Sequence, residues 1–460
     1  MSSNSAKNTK KEIFESRSVP SALATMAIPT IMSQLIALIY NVADTWFIGQ
    51  TDNPYMVAAS SLVATIFLMT VAVSNLFGVG GGSLVVRLLG AGEDTEAGKV
   101  ASLSLVMAAG SALVFSCFCL VFMNPLLKVL GASENTIGYA GQYMFFVVVI
   151  GCLPTVLSNT MSSMLRNVGY SKEAAFGLSF GGILNVLLDP IFMFVLMPDG
   201  YEVMGAAIAT MLSNMTAFVY YVFVYRRVKQ ETVLAIPRKI ERVQKNSMHS
   251  IFQVGIPAAF SILLYDLTNI VINKLSASHG DLELAAMGIV LKVERLPLNI
   301  GVGICLGMVP LIAYNFASKN YKRMHAFFSA ARLAGLAVSV VCVILYRVFA
   351  PYIMGAFISD TETVKLGTAF LQARCFATPM MFLSFHMIHL MNALGKGKIS
   401  LTLAVIRQIC LNIPMLLLLN SLFGMAGIIW TQAIADSFNV IASYIIYMRV
   451  MKESGLSRQK

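Results

Sequence analysis

The chain repeats itself. A segment that opens with Ile28-Pro29 and runs to Tyr225 is echoed by one that opens with Ile256-Pro257 and runs to Tyr447. In the first, Asn124-Pro125 leads to Ser133-Glu134, Pro154 and Asn167-x-Gly169-x-x-Lys172. In the second, Ala350-Pro351 leads to Ser359-Asp360, Pro379 and Asn392-x-x-Gly395-x-x-Lys398. Two strongly apolar, duplicated halves predict two structural repeats enclosing a site between them, a plan found in many secondary transporters.

Composition identifies the solvent. The chain is 57% hydrophobic and 12% charged over 460 residues, where a soluble domain carries about 25% charged residues. Apolar runs of roughly the 20 residues needed to cross a bilayer recur near 22–49, 56–82, 99–122, 137–158, 174–197, 205–225, 250–275, 283–312, 327–349, 365–391, 399–420 and 424–448. The prediction is an all-α polytopic membrane protein, with twelve transmembrane helices in two six-helix lobes related by internal repeat. The first run is too long for a signal-peptide core, and no small-residue cleavage pattern follows the basic start Lys7, Lys10, Lys11 and Arg17.

Lys and Arg set the orientation. With a cytoplasmic N-terminus, the inner segments collect Arg87, Lys99, Arg166, Lys172, Lys319, Lys322, Arg323, Lys396 and Lys398, and the stretch 226–249 adds seven more. The outer loops 50–55, 198–203 and 420–424 carry none, and few outer positions do (Lys128, Lys274 and Lys365). This asymmetry places both termini inside, in the plasma (inner) membrane. It predicts a cytoplasmic tail at 1–21, a first lobe at 22–225, a cytoplasmic linker at 226–249, a second lobe at 250–448 and a cytoplasmic tail at 449–460. The formal charge of +11 is then a topology signal. A nucleic-acid surface would gather those residues on one folded face. Outside the spans no loop other than the linker is long enough to fold, which argues against an enzyme and for a transporter without cofactors.

The seven cysteines all lie in apolar runs without Cys-x-x-Cys spacing, so they read as small buried thiols, not as a disulfide or zinc framework. The chemistry rests instead on charges inside the bilayer, where an acid costs about 2.5 to 3.5 kcal/mol on insertion scales and needs a partner or a job. These acids are Asp44, Asp189, Asp266, Glu294 and Asp436, with Lys292, Arg295 and Arg374 as cationic neighbours. In Asn185-x-x-x-Asp189-Pro190 the amide and the carboxylate are four residues apart and share a helix face. Pro190 has no N–H, which frees the carbonyl of Val186. Hard oxygen ligands of this kind suit Na+ or a protonated carboxyl network. Counting about 1.5 Å per residue, Asp44, Asp189 and Thr210 could meet in the outer half of the first lobe.

These residues resemble the multidrug and toxic compound extrusion (MATE) transporters over nearly the whole chain. The most specific pieces are Asn185-x-x-x-Asp189-Pro190, Gly205-Ala206-Ala207-Ile208-Ala209-Thr210 and Leu165-Arg166-Asn167-x-Gly169. The resemblance implies a twelve-helix antiporter coupled to H+ or Na+, with a cation site at Asp44, Asn185, Asp189 and Thr210. Asn412-Ile413-Pro414 in the second half has no acid in the place of Asp189. Some relatives bind cation through acids on the seventh and tenth helices, but here Asp266 on the seventh faces only His386 and His389 on the tenth. No other metal site is expected.

Asp266 is expected to pair with Lys292 or Arg295, and Asp266 or Glu294 could also attract a cationic substrate. The run Phe77-Gly78-Val79-Gly80-Gly81-Gly82 has no strand before it, so close helix packing explains it better than phosphate binding. The 28 Met, 28 Phe and 16 Tyr suit a cavity that accepts many shapes. The expected substrates are small amphiphilic, chiefly cationic drugs. Membrane lipid is the expected surround, and a monomer the working unit. The alternative is a lipid-linked oligosaccharide flippase, which would line its cavity with more basic residues.

Overall fold

A computed structural model describes residues 11–237 and 241–453. Among them the chain forms twelve helical rods: α1 (Val19–Gly49), α2 (Pro54–Gly90), α3 (Asp94–Val121), α4 (Glu134–Ile150 and Cys152–Asn167), α5 (Ser171–Leu196), α6 (Glu202–Val228), α7 (Ser247–Ala277), α8 (Asp281–Ala317), α9 (Tyr321–Phe357), α10 (Thr361–Arg374, Cys375–Ala377 and Thr378–Ala393), α11 (Gly397–Phe423) and α12 (Met425–Glu453). Each predicted apolar run falls inside one of them to within one residue at its ends. A short helix, Met123–Val129, lies between α3 and α4.

Nine of the rods are long and apolar enough to span a bilayer, and α4 becomes the tenth when its two pieces, bent by 47°, are taken as one span. The other two have visible reasons for falling short. A short 3-10 turn interrupts α10 after the buried Arg374, and α12 carries Gln432, Asp436, Asn439 and Ser443 on its buried side. Many of the largest apolar side chains point outward, among them Val114 at 71%, Leu333 at 71% and Tyr352 at 76% exposed. Such a surface is costly in water and natural against lipid.

Local chemistry sets the helix ends. Asn53 caps α2 by accepting the Tyr55 N–H, with Pro54 at the first helical position. The repeat is visible in the backbone where α4 and α10 end: Gly169 has φ +90° and Gly395 φ +72°, left-handed terminators that favour glycine. Wide π-turns interrupt α4 at Phe145–Ile150, α5 at Phe192–Leu196 and α11 at Ile406–Asn412.

The rods divide into two compact units. One comprises residues up to 17 together with 32–259, and the other comprises 18–31 together with 260 onward. The division therefore runs through α1 and α7, close to Pro29 and Pro257, and the linker joins pieces of the first unit. Within that unit the glycine run of α2 supports close packing. A Cβ on Gly80 would lie 2.9 Å from the Gly255 backbone of α7, and Ser163 of α4 donates a 2.8 Å hydrogen bond to the Gly78 carbonyl. Tyr221 and Tyr225 of α6 are fully buried beside it and donate to the carbonyls of Ala174 and Met161.

The cysteines are all free thiols. Five are buried, whereas Cys117 and Cys410 are exposed.

Candidate functional site

In the first unit α1, α4, α5 and α6 bring a polar group together inside otherwise apolar helices. Asn185 of α5 donates to Asp189 Oδ1 at 3.0 Å, one turn along the same helix, and to Thr210 Oγ1 of α6 at 3.3 Å. Asp189 is fully buried and Asn185 nearly so, while Asp44 of α1 is half-buried. Tyr143 of α4 donates to Asp44 Oδ2 at 3.5 Å and is in hydrogen-bond contact with Thr210. It lies within electrostatic range of both Asp44 and Asp189, which also sense one another.

Tyr143 thus bridges the two sides of the cluster. The sequence offered no signal for it, because a tyrosine in an apolar run has no distinguishing neighbour.

Small residues allow this convergence. A Cβ on Gly182 of α5 would come within 2.8 Å of the Tyr40 ring of α1, and one on Gly205 of α6 within 2.7 Å of the Phe192 carbonyl. That carbonyl belongs to the π-turn that follows Asp189-Pro190. The motif Gly205-Ala206-Ala207 is therefore a flat bed on which the widened turn of α5 rests. π-Turns often mark functional positions.

Three oxygens of the cluster are buried without a hydrogen-bond donor among the described residues: Asp44 Oδ1, Asn185 Oδ1 and Asp189 Oδ2. An unsatisfied buried acceptor costs about 1–3 kcal/mol, more when charged. Two carboxylates in range of one another in a low dielectric also need a compensating positive charge. Hard oxygen acceptors of this number and type suit a small cation such as Na+, or a proton held on one carboxyl. No group of three or more acidic, His or Cys side chains with metal-binding geometry occurs among the described residues.

The second unit distributes its charges differently. Consecutive residues on α8 point to different partners, because neighbours on a helix are about 100° apart. Glu294 turns inward to Arg374 of α10, with N···O at 2.8 Å and both side chains less than a tenth exposed. Arg295 turns outward to Asp266 of α7 at 3.6 Å, with the two side chains 49% and 26% exposed. Of the two cations expected near Asp266, Arg295 makes the contact, and Lys292 is exposed.

Asp436 of α12 is fully buried and is gripped by Arg407 of α11 through two bonds, of 2.5 and 3.0 Å. Ser384 and Gln432 also donate to it, and the Arg407 guanidinium lies 4.4 Å over the Phe385 ring. Sequence reasoning missed Arg407, whose partner lies on another helix. Asn412 donates to Gln408, whose side-chain oxygen also accepts from Thr268 of α7. His386 is stacked between Phe328 and Phe382, with centroids at 4.6 and 5.6 Å, while His389 Nδ1 meets the Phe385 carbonyl at 2.8 Å. The two imidazoles serve separate contacts.

Comparison with known proteins follows the same lines. The sequence pattern of the MatE family matches residues 29–191 and again 257–418, so its two copies start at the two prolines that open the repeat. The multidrug export protein MepA of Staphylococcus haemolyticus (strain JCSC1435) is 32% identical over 435 residues, spanning 94% of each chain. MepA of Staphylococcus aureus (strain MRSA252) is 29% identical over the same length. Among solved structures, an outward-facing multidrug resistance MATE family transporter superposes with a TM-score of 0.90 at 21% identity over 98% of each chain. A mutant of the Vibrio cholerae MATE transporter VcmN does so at 0.89 and 20% identity, over 99% of this chain and 100% of that one. These structural likenesses establish the fold.

Proposed function

This chain belongs to the MatE family, and from that premise we propose that it is a multidrug exporter coupled to H+ or Na+, expelling amphiphilic, chiefly cationic compounds by alternating access. Membership makes it a membrane transporter and not an enzyme. Export of drugs follows the MepA relatives, which align with it over 94% of their length.

The coupling role rests on one observation, the three unsatisfied buried oxygens of Asp44, Asn185 and Asp189 in the first unit. A monovalent ion that offsets one of the two carboxylate charges of Asp44 and Asp189 while accepting these lone pairs lowers the desolvation cost of the group. Thr210 and Tyr143 orient the ligands, and they complete the set without a second chain, which supports a functional monomer. The Lys and Arg distribution supports both termini in the cytoplasm and residence in the plasma (inner) membrane. The flippase alternative is not favoured, since the buried arginines of the second unit, Arg374 and Arg407, are each committed to an acid.

The test is dye uptake into inverted vesicles with and without a Na+ or proton gradient. Asp189→Asn keeps shape and removes charge, so gradient-driven export should be abolished while the protein still inserts. Export near the wild-type rate would refute the assignment.

A further inference from the structure

The glycine pair Gly181-Gly182 and the polar pair Arg407-Gln408 occupy corresponding places in the two halves. Counted from the helix starts, Ser171 of α5 and Gly397 of α11, a step of 397 − 171 = 226 carries Gly181 to Arg407 and Gly182 to Gln408, while beyond the π-turn at 406–412 the prolines Pro190 and Pro414 stand 414 − 190 = 224 apart. α6 starts at Glu202 and α12 at Met425, a step of 425 − 202 = 223 that carries Ser213 to Asp436. Pro29 and Pro257 are 257 − 29 = 228 apart, which carries Tyr40 to Thr268.

The contacts obey the same correspondence. A Cβ on Gly181 would sit 3.3 Å from the Ser213 carbonyl, and one on Gly182 would press on the Tyr40 ring. Arg407 bonds Asp436, and Gln408 accepts from Thr268. Where the first half packs the two glycines of α5 directly against α1 and α6, the second half ties α11 to α7 and α12 at the corresponding positions with a buried ion pair and hydrogen bonds.

We propose that Arg407 is the built-in cation of the second half: a positioning residue that neutralises Asp436 and fastens α11 permanently to α10 and α12. The first half has no charge at the matching contact between Gly181 and Ser213, and its acids Asp44 and Asp189 take their positive charge from an exchangeable ion, a contrast that rests on the ion-site reading of those two residues. Ser384 of α10 and Gln432 of α12 complete the shell around Asp436, and Phe385 covers the flat face of the guanidinium, so the fork is held on every side. Each chain then carries one exchangeable cation site, in its first unit. α11 then keeps its place against α10 and α12 through the transport cycle.

The experiment replaces the side chain by a free one. Arg407→Ala in the full-length protein, purified in detergent, should melt roughly 6 to 20 °C below wild type, because a buried carboxylate is left unpaired. Methylguanidinium chloride, with choline chloride as the control, should restore most of that loss. It should also restore gradient-driven dye export in vesicles at least fivefold. Wild type and the double variant Arg407→Ala/Asp436→Asn should ignore methylguanidinium. A wild-type melting temperature and export rate for Arg407→Ala, or equal rescue of the double variant, overturns the proposal.

If Arg407→Ala does not reach the membrane, Arg407→Gln is compared with Arg407→Gln/Asp436→Asn. Recovery of insertion and export in the neutral pair supports a charge-neutralising role, and equal loss in both overturns it. These readouts do not involve Asp189. Normal export by Asp189→Asn would therefore sink the ion-site reading alone.

Discussion

Two acids that lie close together in the second unit should respond to neutralisation in opposite ways. Glu294 is 9% exposed and sits 2.8 Å from Arg374, itself 3% exposed. Arg374 Nη1 is already without a partner among the described residues. Glu294→Gln leaves a whole guanidinium buried and uncompensated, a loss of about 3–5 kcal/mol. Asp266 and Arg295 are 3.6 Å apart and up to half exposed, so Asp266→Asn forfeits a screened contact worth about 0–1 kcal/mol. For a unit of about 200 residues the first change lowers the melting temperature by roughly 6 to 20 °C and the second by at most about 4 °C. The assay is thermal unfolding of each variant in the same detergent and salt, followed by export of one cationic and one neutral compound. Because Asp266→Asn leaves the fold intact, a selective loss of cationic dye export from that variant reports on substrate attraction. Equal destabilisation by the two substitutions would refute the division of the network into a buried structural pair and an accessible one.

Three further outcomes are expected. Asn185→Ala removes one neutral ligand and should weaken cation dependence about fivefold, read as the cation concentration for half-maximal export. Gly205→Val forces a side chain onto the Phe192 carbonyl of the π-turn. It should destabilise the protein by about 1–3 kcal/mol and also reduce export, whereas Gly110→Val, which has open space around it, should do neither. Asp360 caps α10 by accepting from the Thr363 N–H and hydroxyl, and these bonds hold its carboxyl below the ordinary carboxylate value. With the folded value depressed, the cap is fully effective above about pH 4 and is lost as pH falls further. The protection of the Thr363 amide, its exchange rate relative to the intrinsic rate at each pH, should fall over that range in wild type and stay flat in Asp360→Asn.

The legible parts of this molecule are those in which one helix carries the whole signal. Twelve helical rods follow from apolar runs, and Asn185 and Asp189 advertise each other because they share a face one turn apart. The illegible parts are contacts between helices. Tyr143 reaches Asp44 from 99 positions away, and Arg407 reaches Asp436 from 29 positions away. In sequence, each is one polar residue in an apolar run. Lys292, Glu294 and Arg295 read as one cluster along the chain, yet the helix turns them toward solvent, Arg374 and Asp266 respectively. The division of α1 and α7 between units was hidden for a different reason, since an unbroken helix gives no sign of which neighbours each of its ends will meet.

That division bears on biosynthesis. The second unit needs residues 18–31, made more than 200 residues before the rest of it, and the first unit is not complete until 247–259 have been made. Neither can finish alone during translation, and the early segment must wait in the bilayer for a partner more than 200 residues downstream. A gene cut within the linker would yield two fragments, each lacking a strip of its own interior, like subunits of a swapped dimer. Expressed singly they should be degraded; expressed together they should rebuild the transporter.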